Sequence, residues 1–184
     1  MNLRQLPNVI TVLRLLLTLP IIWALLDGAY AWVLVLLLLA GLSDGLDGWL
    51  VRRYGWQTRL GGYLDPLADK VLLMGTYFTV AWVGLIPLWL MVLVVARDLI
   101  IILGALAYRA VTRSLEMQPL LISKLNTFFQ IVLVLSVLVD AGLVSLPRLY
   151  LDVLIGIVLV TTVASGLAYV VGWTRRALCR HTPA

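Results

Sequence analysis

The sequence predicts an all-α integral membrane protein with six transmembrane helices in a single domain over residues 1–184. Composition is the first reason, because 62% of the 184 residues are apolar and only 12% are charged, whereas soluble domains are roughly half apolar and about a quarter charged. The second reason is that the apolar residues form runs of about 20, the length that a helix needs to cross a bilayer. The composition therefore excludes a soluble enzyme, and the single cysteine excludes a disulfide framework or a cysteine metal site.

Each predicted helix is bounded by glycine, proline or charged residues. The stretches cover residues 8–27, 31–51, 64–86, 87–111, 119–142 and 147–173. The breaks between them fall at Asp27-Gly28, between Gly55 and Gly62, from Gly84 to Pro87, at Pro119, and from Gly142 to Pro147. No cleavage site follows the first stretch and no transit segment precedes it, so we expect a retained first helix and a bacterial chain.

The distribution of arginine predicts the orientation of the six helices. One side of the membrane would collect both termini and most of the basic residues, namely Arg4, Arg52, Arg53, Arg59, Arg109, Arg113, Arg175, Arg176 and Arg180. The opposite loops hold Arg148 beside Asp27 and Asp140. Since cytoplasmic loops carry the excess of positive charge, both termini are expected in the cytoplasm, at the bacterial inner membrane. Arginines scattered along membrane boundaries contact anionic lipid, so no nucleic-acid partner is expected.

Acidic residues are concentrated at two neighbouring helix ends. Four of the nine acidic residues are Asp44 and Asp47, near the cytoplasmic end of the second helix, and Asp65 and Asp69, in the first turns of the third. Spacings of three and four residues place each pair on one helical face. The sequence therefore predicts four carboxylates at one depth, just below the cytoplasmic surface.

This carboxylate cluster predicts a divalent-metal site. Carboxylates within a membrane are costly and usually mark function, and an all-oxygen set without His or Cys suits Mg²⁺ or Mn²⁺. Two bound cations would relieve the mutual repulsion. The alternative is a wet helix end whose carboxylates are neutralised by nearby basic residues, namely Arg52, Arg53, Arg59 and Lys70.

Two glycines and one arginine next to the carboxylates suggest a phosphate-containing ligand. Gly48 and Gly61 lack side chains and would let a ligand approach the helix backbone closely. Arg52 offers a guanidinium fork suited to phosphate. The alternative for such glycines is tight helix packing, which we prefer for Gly62 and Gly75, and also for Gly104.

Residues 44–69 read D-x2-D-G-x3-R-x8-G-x3-D-x3-D, and this pattern resembles the signature of the CDP-alcohol phosphotransferase family. The one departure is Val51, where the family usually has alanine, and the larger side chain would crowd the nucleotide pocket slightly. The resemblance extends over most of the chain. It also includes Pro7-Asn8 with Thr11 and Arg14, as well as Thr58 and Leu64-Asp65-Pro66.

The resemblance implies a reaction and a role for each matching residue. Two divalent metals, Mg²⁺ or Mn²⁺, would be held by four aspartates, Asp44, Asp47, Asp65 and Asp69. Asp69 would also act as general base on the acceptor hydroxyl. The CDP group of a CDP-linked lipid would be bound by Asn8, Gly48, Arg52, Thr58 and Gly61. The products would be a phosphodiester and CMP, and a homodimer is expected.

The acceptor alcohol is suggested by polar residues in the fourth and fifth helices. Arg97-Asp98, Arg109 and the run Ser123-Lys124-Leu125-Asn126-Thr127 resemble the cardiolipin synthase branch of the family, in which the substrates are CDP-diacylglycerol and phosphatidylglycerol. Acceptor-binding residues would then be Arg97, Arg109, Lys124 and Asn126. Phosphatidylglycerophosphate synthases also resemble the chain, but typically carry a second arginine where Ala105 stands and a Lys-x-Lys-Thr run in the fifth helix.

Two further alternatives remain at this point. Arg97 and Asp98 could form an ion pair that only braces the fold. In a different functional class, the intramembrane carboxylates could belong to a small cation transporter.

Overall fold

Six helices make up the part of the chain that the structure describes. The computed structural model describes residues 6–54, 61–112 and 121–179, and their side chains except those of residues 6–8, 47, 50–52, 61–63, 66, 105–112 and 173–179. The helices are α1 (Leu6–Leu26), α2 (Tyr30–Tyr54), α3 (Gly61–Trp82), α4 (Leu88–Thr112), α5 (Leu121–Gly142) and α6 (Arg148–Cys179). No strand occurs in the described ranges, so the predicted all-α class is confirmed.

Glycines follow the ends of α1 and α3. Gly28 has a φ of 75°, and after it the N–H of Ala29 donates to the carbonyl of Ala24 at 2.9 Å. Gly84 has a φ of 83° and ends α3 in the same manner. A side chain is strained in this left-handed conformation, whereas glycine adopts it readily and satisfies the last carbonyls of the helix.

Prolines precede α4 and α6. The N–H groups of Leu90 and Met91 donate to the carbonyl of Pro87 at 3.0 and 3.4 Å, and Tyr150 donates to the carbonyl of Pro147 at 2.9 Å. A proline at this position costs nothing, because the first N–H groups of a helix have no partner within the helix. The predicted breaks before both helices are therefore confirmed.

The observed helices depart from the predicted stretches mainly at their ends. Helix α3 stops at Trp82, where residue 86 was predicted, and α6 continues to Cys179, where residue 173 was predicted. The turn at Gly84 accounts for the earlier stop. Helix α6 is longer than predicted because the prediction followed hydropathy, which marks only the stretch that can cross a bilayer. The residues after that stretch include Arg, Ala and Leu, whose high helix propensity allows the helix to continue.

The helices fall into two compact units, each of which has its own internal packing. The first comprises Met1–Ile86 and Val134–Leu146, and within it α1 packs against both α2 and α3. The second comprises Pro87–Leu133 and Pro147–Ala184, and within it α4 packs against α6. Helix α5 contributes one half to each unit.

Gly75 lies at the contact between α1 and α3. A Cβ atom added there would lie 3.4 Å from side-chain carbons of both Thr18 and Ile22. The packing interpretation of Gly75 is therefore confirmed, whereas the same interpretation of Gly62 and Gly104 remains a prediction.

A second close approach predicts that Gly142→Ala destabilises the first unit. An added Cβ would lie 2.8 Å from the Cβ of Tyr30 and 3.0 Å from the backbone nitrogen of Ala31, so the start of α2 must shift. Overpacking of this kind costs about 1–3 kcal/mol, which thermal unfolding in detergent would measure. The control is Gly156→Ala on α6, where nothing lies within 4 Å. An equal loss in both variants would contradict the packing argument.

Among the described residues, three helices are long and apolar enough to cross a membrane by their length and composition, over the stretches Val9–Leu26, Leu121–Gly142 and Arg148–Gly172. Helices α2, α3 and α4 carry charged residues that lower their apolar character. Large apolar side chains also cover the surface, with Trp23 76% and Leu149 75% exposed. Apolar surface on this scale needs a lipid environment, so the chain is a membrane protein.

Candidate active site

An arginine on α1 binds carboxylates from two other helices. Arg14 Nη1 donates to Asp69 Oδ1 on α3 at 2.6 Å and lies 2.8 Å from Asp44 Oδ1 on α2. Two carboxylate oxygens thus converge on a single nitrogen. The predicted meeting of the α2 and α3 aspartates is therefore observed for this pair.

A threonine one turn earlier on the same helix binds a third carboxylate. Thr11 donates its hydroxyl hydrogen to Asp65 Oδ1. Because residues three apart share a helical face, as do residues four apart, Thr11 and Arg14 present their donors together to Asp65 and Asp69. The close packing of α1 on α3 at Gly75 holds these two faces against each other.

Two of the carboxylates, those of Asp44 and Asp69, differ sharply in burial from the donors on α1. The side chain of Arg14 is 1% exposed, whereas those of Asp44 and Asp69 are 53% and 51% exposed. Thr11 is also buried. The donors therefore lie beneath the carboxylates, and each paired aspartate keeps an accessible side toward which a ligand can approach.

For several predicted site residues, the side chain or the whole residue lies outside the part of the chain that the structure describes. Asp47 is on α2, one turn after Asp44, and Gly61 is the first residue of α3, but their surroundings are not described. The same holds for the side chains of Asn8 and Arg52, and for Thr58 altogether. Gly48 lies on α2 and is half-buried. The roles of these residues remain predictions.

The chemistry of the carboxylate cluster fits a divalent cation. Among the residues with described side chains, no three acidic, histidine or cysteine side chains are arranged as a coordination group. The oxygens of Asp44 and Asp69 nevertheless converge on one positively charged group, and carboxylate oxygen is the ligand that Mg²⁺ and Mn²⁺ prefer. The four aspartates thus remain the predicted ligands, with the donors of α1 fixing three of them.

We expect Thr11→Val to lower turnover, because it removes the hydrogen bond to Asp65 while keeping the shape of the side chain. A hydrogen bond to a charged group contributes about 1.5–3 kcal/mol, so a loss of roughly tenfold or more in the rate of CMP release is expected. The control is Thr18→Val, because among the described residues Thr18 donates to the carbonyl of Arg14, at 3.3 Å, and not to a carboxylate. Equal rates for Thr11→Val and the unmodified protein would contradict a role for this contact.

The second unit contains a separate buried polar group centred on Arg97. Arg97 Nη1 donates to Asp98 Oδ1 at 2.7 Å, and Nη2 donates to the hydroxyls of Ser123 on α5, at 2.7 Å, and Ser165 on α6. Arg97 and Asp98 are 6% and 5% exposed. The ion pair that the sequence left open as an alternative is therefore present within α4, and the hydrogen bonds of Arg97 Nη2 join α4 to α5 and α6.

The other predicted acceptor residues have different surroundings. Asn126 is fully buried, and its Oδ1 accepts a hydrogen bond from Thr162 at 2.8 Å and lies 3.0 Å from the hydroxyl oxygen of Thr161. Lys124 is exposed in the first turn of α5, and the side chain of Arg109 lies outside the description. The structure thus brings Arg97 and Asn126 into one unit.

The sequence interpretation gave no role to Arg14 or Thr11. A signal was available, because an arginine inside an apolar helix needs a partner and a threonine precedes it by one turn. The α6 partners Thr161, Thr162 and Ser165 were missed as well. They had no such signal, because a hydroxyl in a helix is often satisfied by its own backbone, as Thr161 is by Ile157 at 2.8 Å.

Comparison with known proteins finds one matching family and several relatives. Residues 4–172 match the family model described as CDP-alcohol phosphatidyltransferase. The chain is 34% identical over 183 residues to the chloroplastic CDP-diacylglycerol–glycerol-3-phosphate 3-phosphatidyltransferase 1 of rice, covering 90% of this chain and 56% of that protein. It is 31% identical over 179 residues to the human CMP-forming cardiolipin synthase, covering 89% and 60%.

A bacterial relative is matched over more of its length. The probable phosphatidylglycerophosphate synthase of Mycobacterium tuberculosis is 31% identical over 176 residues, covering 90% of this chain and 80% of that protein. The chain spans little more than half of the rice and human proteins. Relatives named as cardiolipin synthase and as phosphatidylglycerophosphate synthase thus match at similar identity.

Proposed function

The chain belongs to the CDP-alcohol phosphatidyltransferase family, and from this premise we propose that it transfers the phosphatidyl group of CDP-diacylglycerol to phosphatidylglycerol, releasing cardiolipin and CMP. The observation that supports the transfer most strongly is the convergence of Asp44 and Asp69 on one cationic nitrogen. Family membership favours this enzyme class over a small cation transporter.

In the proposed reaction Asp69 acts as the general base. The hydroxyl oxygen of the acceptor forms a bond to the phosphatidyl phosphorus, and the bond from that phosphorus to the CMP oxygen breaks. The hydroxyl proton passes to an Asp69 oxygen, for which a carboxylate within hydrogen-bond reach suffices. The half-exposed side chain of Asp69 and its fixed position against Arg14 suit this role.

The family generally depends on divalent metals, and the proposed ligands are the carboxylates of Asp44, Asp47, Asp65 and Asp69. When bound there, Mg²⁺ or Mn²⁺ would neutralise the diphosphate and stabilise the leaving CMP. The protein contributes the positions of the ligands, and Arg14 and Thr11 on α1 bind three of them, Asp44, Asp65 and Asp69.

Four of the five proposed CDP-binding residues lie between the two aspartate pairs along the chain, and the fifth precedes them on α1. They are Asn8, Gly48, Arg52, Thr58 and Gly61. Gly48 and Gly61 would allow the nucleotide to approach the helix backbone, and the guanidinium of Arg52 would bind a phosphate oxygen. A site at the end of α2 and the start of α3 would admit the polar nucleotide while the acyl chains remain in the bilayer.

Charge in the second unit supports phosphatidylglycerol as the acceptor. Glycerol 3-phosphate is a compact dianion that needs several converging cations. Among the described side chains of this unit, the buried cation Arg97 already bonds Asp98 and two serines. Phosphatidylglycerol has a single phosphodiester charge and lipid tails, so it needs fewer cations. Arg97 would bind it together with Asn126, Lys124 and Arg109.

We further propose that all six helices cross a bacterial inner membrane, with both termini in the cytoplasm. The shortest helix, α1, has 21 residues, which span about 31 Å at 1.5 Å per residue and match a hydrocarbon core of about 30 Å. The arginine distribution supports the orientation. The homodimer belongs to the same proposal and rests on the family resemblance.

The acceptor is tested by supplying two alcohols separately to the purified protein with CDP-diacylglycerol and Mg²⁺ or Mn²⁺. We expect cardiolipin with phosphatidylglycerol, and no lipid product with glycerol 3-phosphate. Chromatographic separation of the lipids distinguishes the two products. Formation of phosphatidylglycerophosphate from glycerol 3-phosphate, without cardiolipin from phosphatidylglycerol, would contradict the acceptor and make the rice and M. tuberculosis relatives the better guide.

A further inference from the structure

Arg14 is a buried cation within an apolar helix. It lies inside the stretch Val9–Leu26, which is apolar enough to cross a membrane, and eight residues from the start of α1, or about 12 Å along the axis. Its side chain is 1% exposed. A charged group at such a depth is costly unless it is compensated by partners of opposite charge.

The compensation comes from two other helices. The nitrogen Nη1 bonds Asp44 of α2 and Asp69 of α3, whereas the buried Nε and Nη2 atoms have no hydrogen-bond partner among the described residues. Within the described part of the chain, the charge of this guanidinium is therefore compensated by the carboxylates of Asp44 and Asp69. In turn, Arg14 supplies a positive charge between two carboxylates that would otherwise repel each other.

We propose that Arg14 is a built-in counter-cation that joins α2 to α3 and keeps the carboxylates of Asp44 and Asp69 together when no divalent cation is bound. It is a positioning residue, since it acts through the two aspartates. This proposal rests on the proposed metal site, but it concerns the state of the protein before the metal binds. It predicts that Arg14 and a divalent cation stabilise the same pair of helices through the same two side chains.

The test is the dependence of thermal stability on divalent cations in Arg14→Met, purified in detergent. Methionine keeps a long side chain and removes the charge. In EDTA we expect the unfolding midpoint to fall by about 5 °C or more relative to the unmodified protein, a shift that a lost ion pair produces in a chain of this size. Addition of Mn²⁺ or Mg²⁺ should raise the midpoint of Arg14→Met by more than it raises that of the unmodified protein.

Two further variants separate this role from ordinary packing. Arg14→Lys restores the charge and should recover most of the midpoint in EDTA. Arg53→Met removes an exposed cation from the end of α2 and should change neither the midpoint nor its response to metal. An Arg14→Met protein that is destabilised equally with and without metal, or one as stable as the unmodified protein in EDTA, would overturn the proposal. The unfolding midpoints in EDTA and in divalent metal do not depend on CMP release, so this test can fail or succeed independently of the proposed reaction.

Discussion

Asp69→Asn is expected to lower CMP release from CDP-diacylglycerol by about a thousandfold or more, while the protein remains folded. Asparagine has nearly the same shape but cannot accept the hydroxyl proton, and a positioned general base contributes roughly 10²–10⁴-fold to a rate. The same substitution removes one charge from the proposed metal ligands, which lowers the rate further. The measurement is the rate of CMP release by protein purified in detergent, with phosphatidylglycerol as acceptor.

The control for this prediction is Asp27→Asn. Asp27 is an exposed aspartate of the same unit, in the turn after α1, and its substitution should leave the rate unchanged. Thermal unfolding should confirm that Asp69→Asn is folded. Retention of more than a tenth of the activity by folded Asp69→Asn would exclude Asp69 as the base and move that role to another group.

Arg97→Met is expected to destabilise the protein by about 3–5 kcal/mol, the cost of removing one partner from a buried ion pair. The substitution removes the guanidinium that pairs with Asp98. It also removes the hydrogen bonds that this guanidinium donates to the hydroxyls of Ser123 and Ser165. Because these contacts join α4, α5 and α6, the whole second unit should be affected. Thermal or denaturant unfolding in detergent measures the loss.

Two comparisons separate the ion pair from other causes. Arg148→Met removes an exposed arginine at the start of α6 and should change stability by no more than about 0.5 kcal/mol. The double variant Arg97→Met with Asp98→Leu should recover part of the loss, because an apolar pair can replace a buried ion pair. A loss for Arg97→Met no larger than that for Arg148→Met would show that the pair contributes little to the fold.

The six helices of the described ranges were predictable in number and order from the sequence, because apolar runs and their breaks carry that information. Gly28, Gly84, Pro87 and Pro147 stand where the structure ends or begins a helix. The helix ends that were not predicted are of two kinds, since α3 stops before the end of its apolar run whereas α6 continues beyond it. Hydropathy indicates whether a segment lies in lipid or in water, whereas the helix propensity of its residues and the turn residues that follow decide where the helix ends.

The candidate site was predictable in its acidic half. The spacing of Asp44, Asp65 and Asp69 predicts a shared depth, and their contacts to α1 are consistent with it. The cationic half was not predicted. The sequence draws attention to basic residues close to the carboxylates along the chain, whereas the observed partner, Arg14, is 30 residues away from Asp44 and reaches it only through helix packing.

The buried polar group of the second unit shows a further limit. Arg97 and Asn126 were expected to bind an acceptor because of the residues around them in the sequence. Their observed contacts with Ser165 and Thr162 depend on how α6 packs, and the serine and threonine residues of α6 have no pattern that distinguishes them from residues satisfied by their own helix.

The central claim is that this chain releases CMP from CDP-diacylglycerol through its aspartate cluster, and the most direct test is to measure CMP and lipid product together. With phosphatidylglycerol and Mg²⁺ or Mn²⁺, the purified protein should release one CMP for each cardiolipin formed, and release should stop in EDTA and in Asp69→Asn. Absence of CMP with every alcohol supplied, from folded protein in the presence of divalent metal, would contradict the claim.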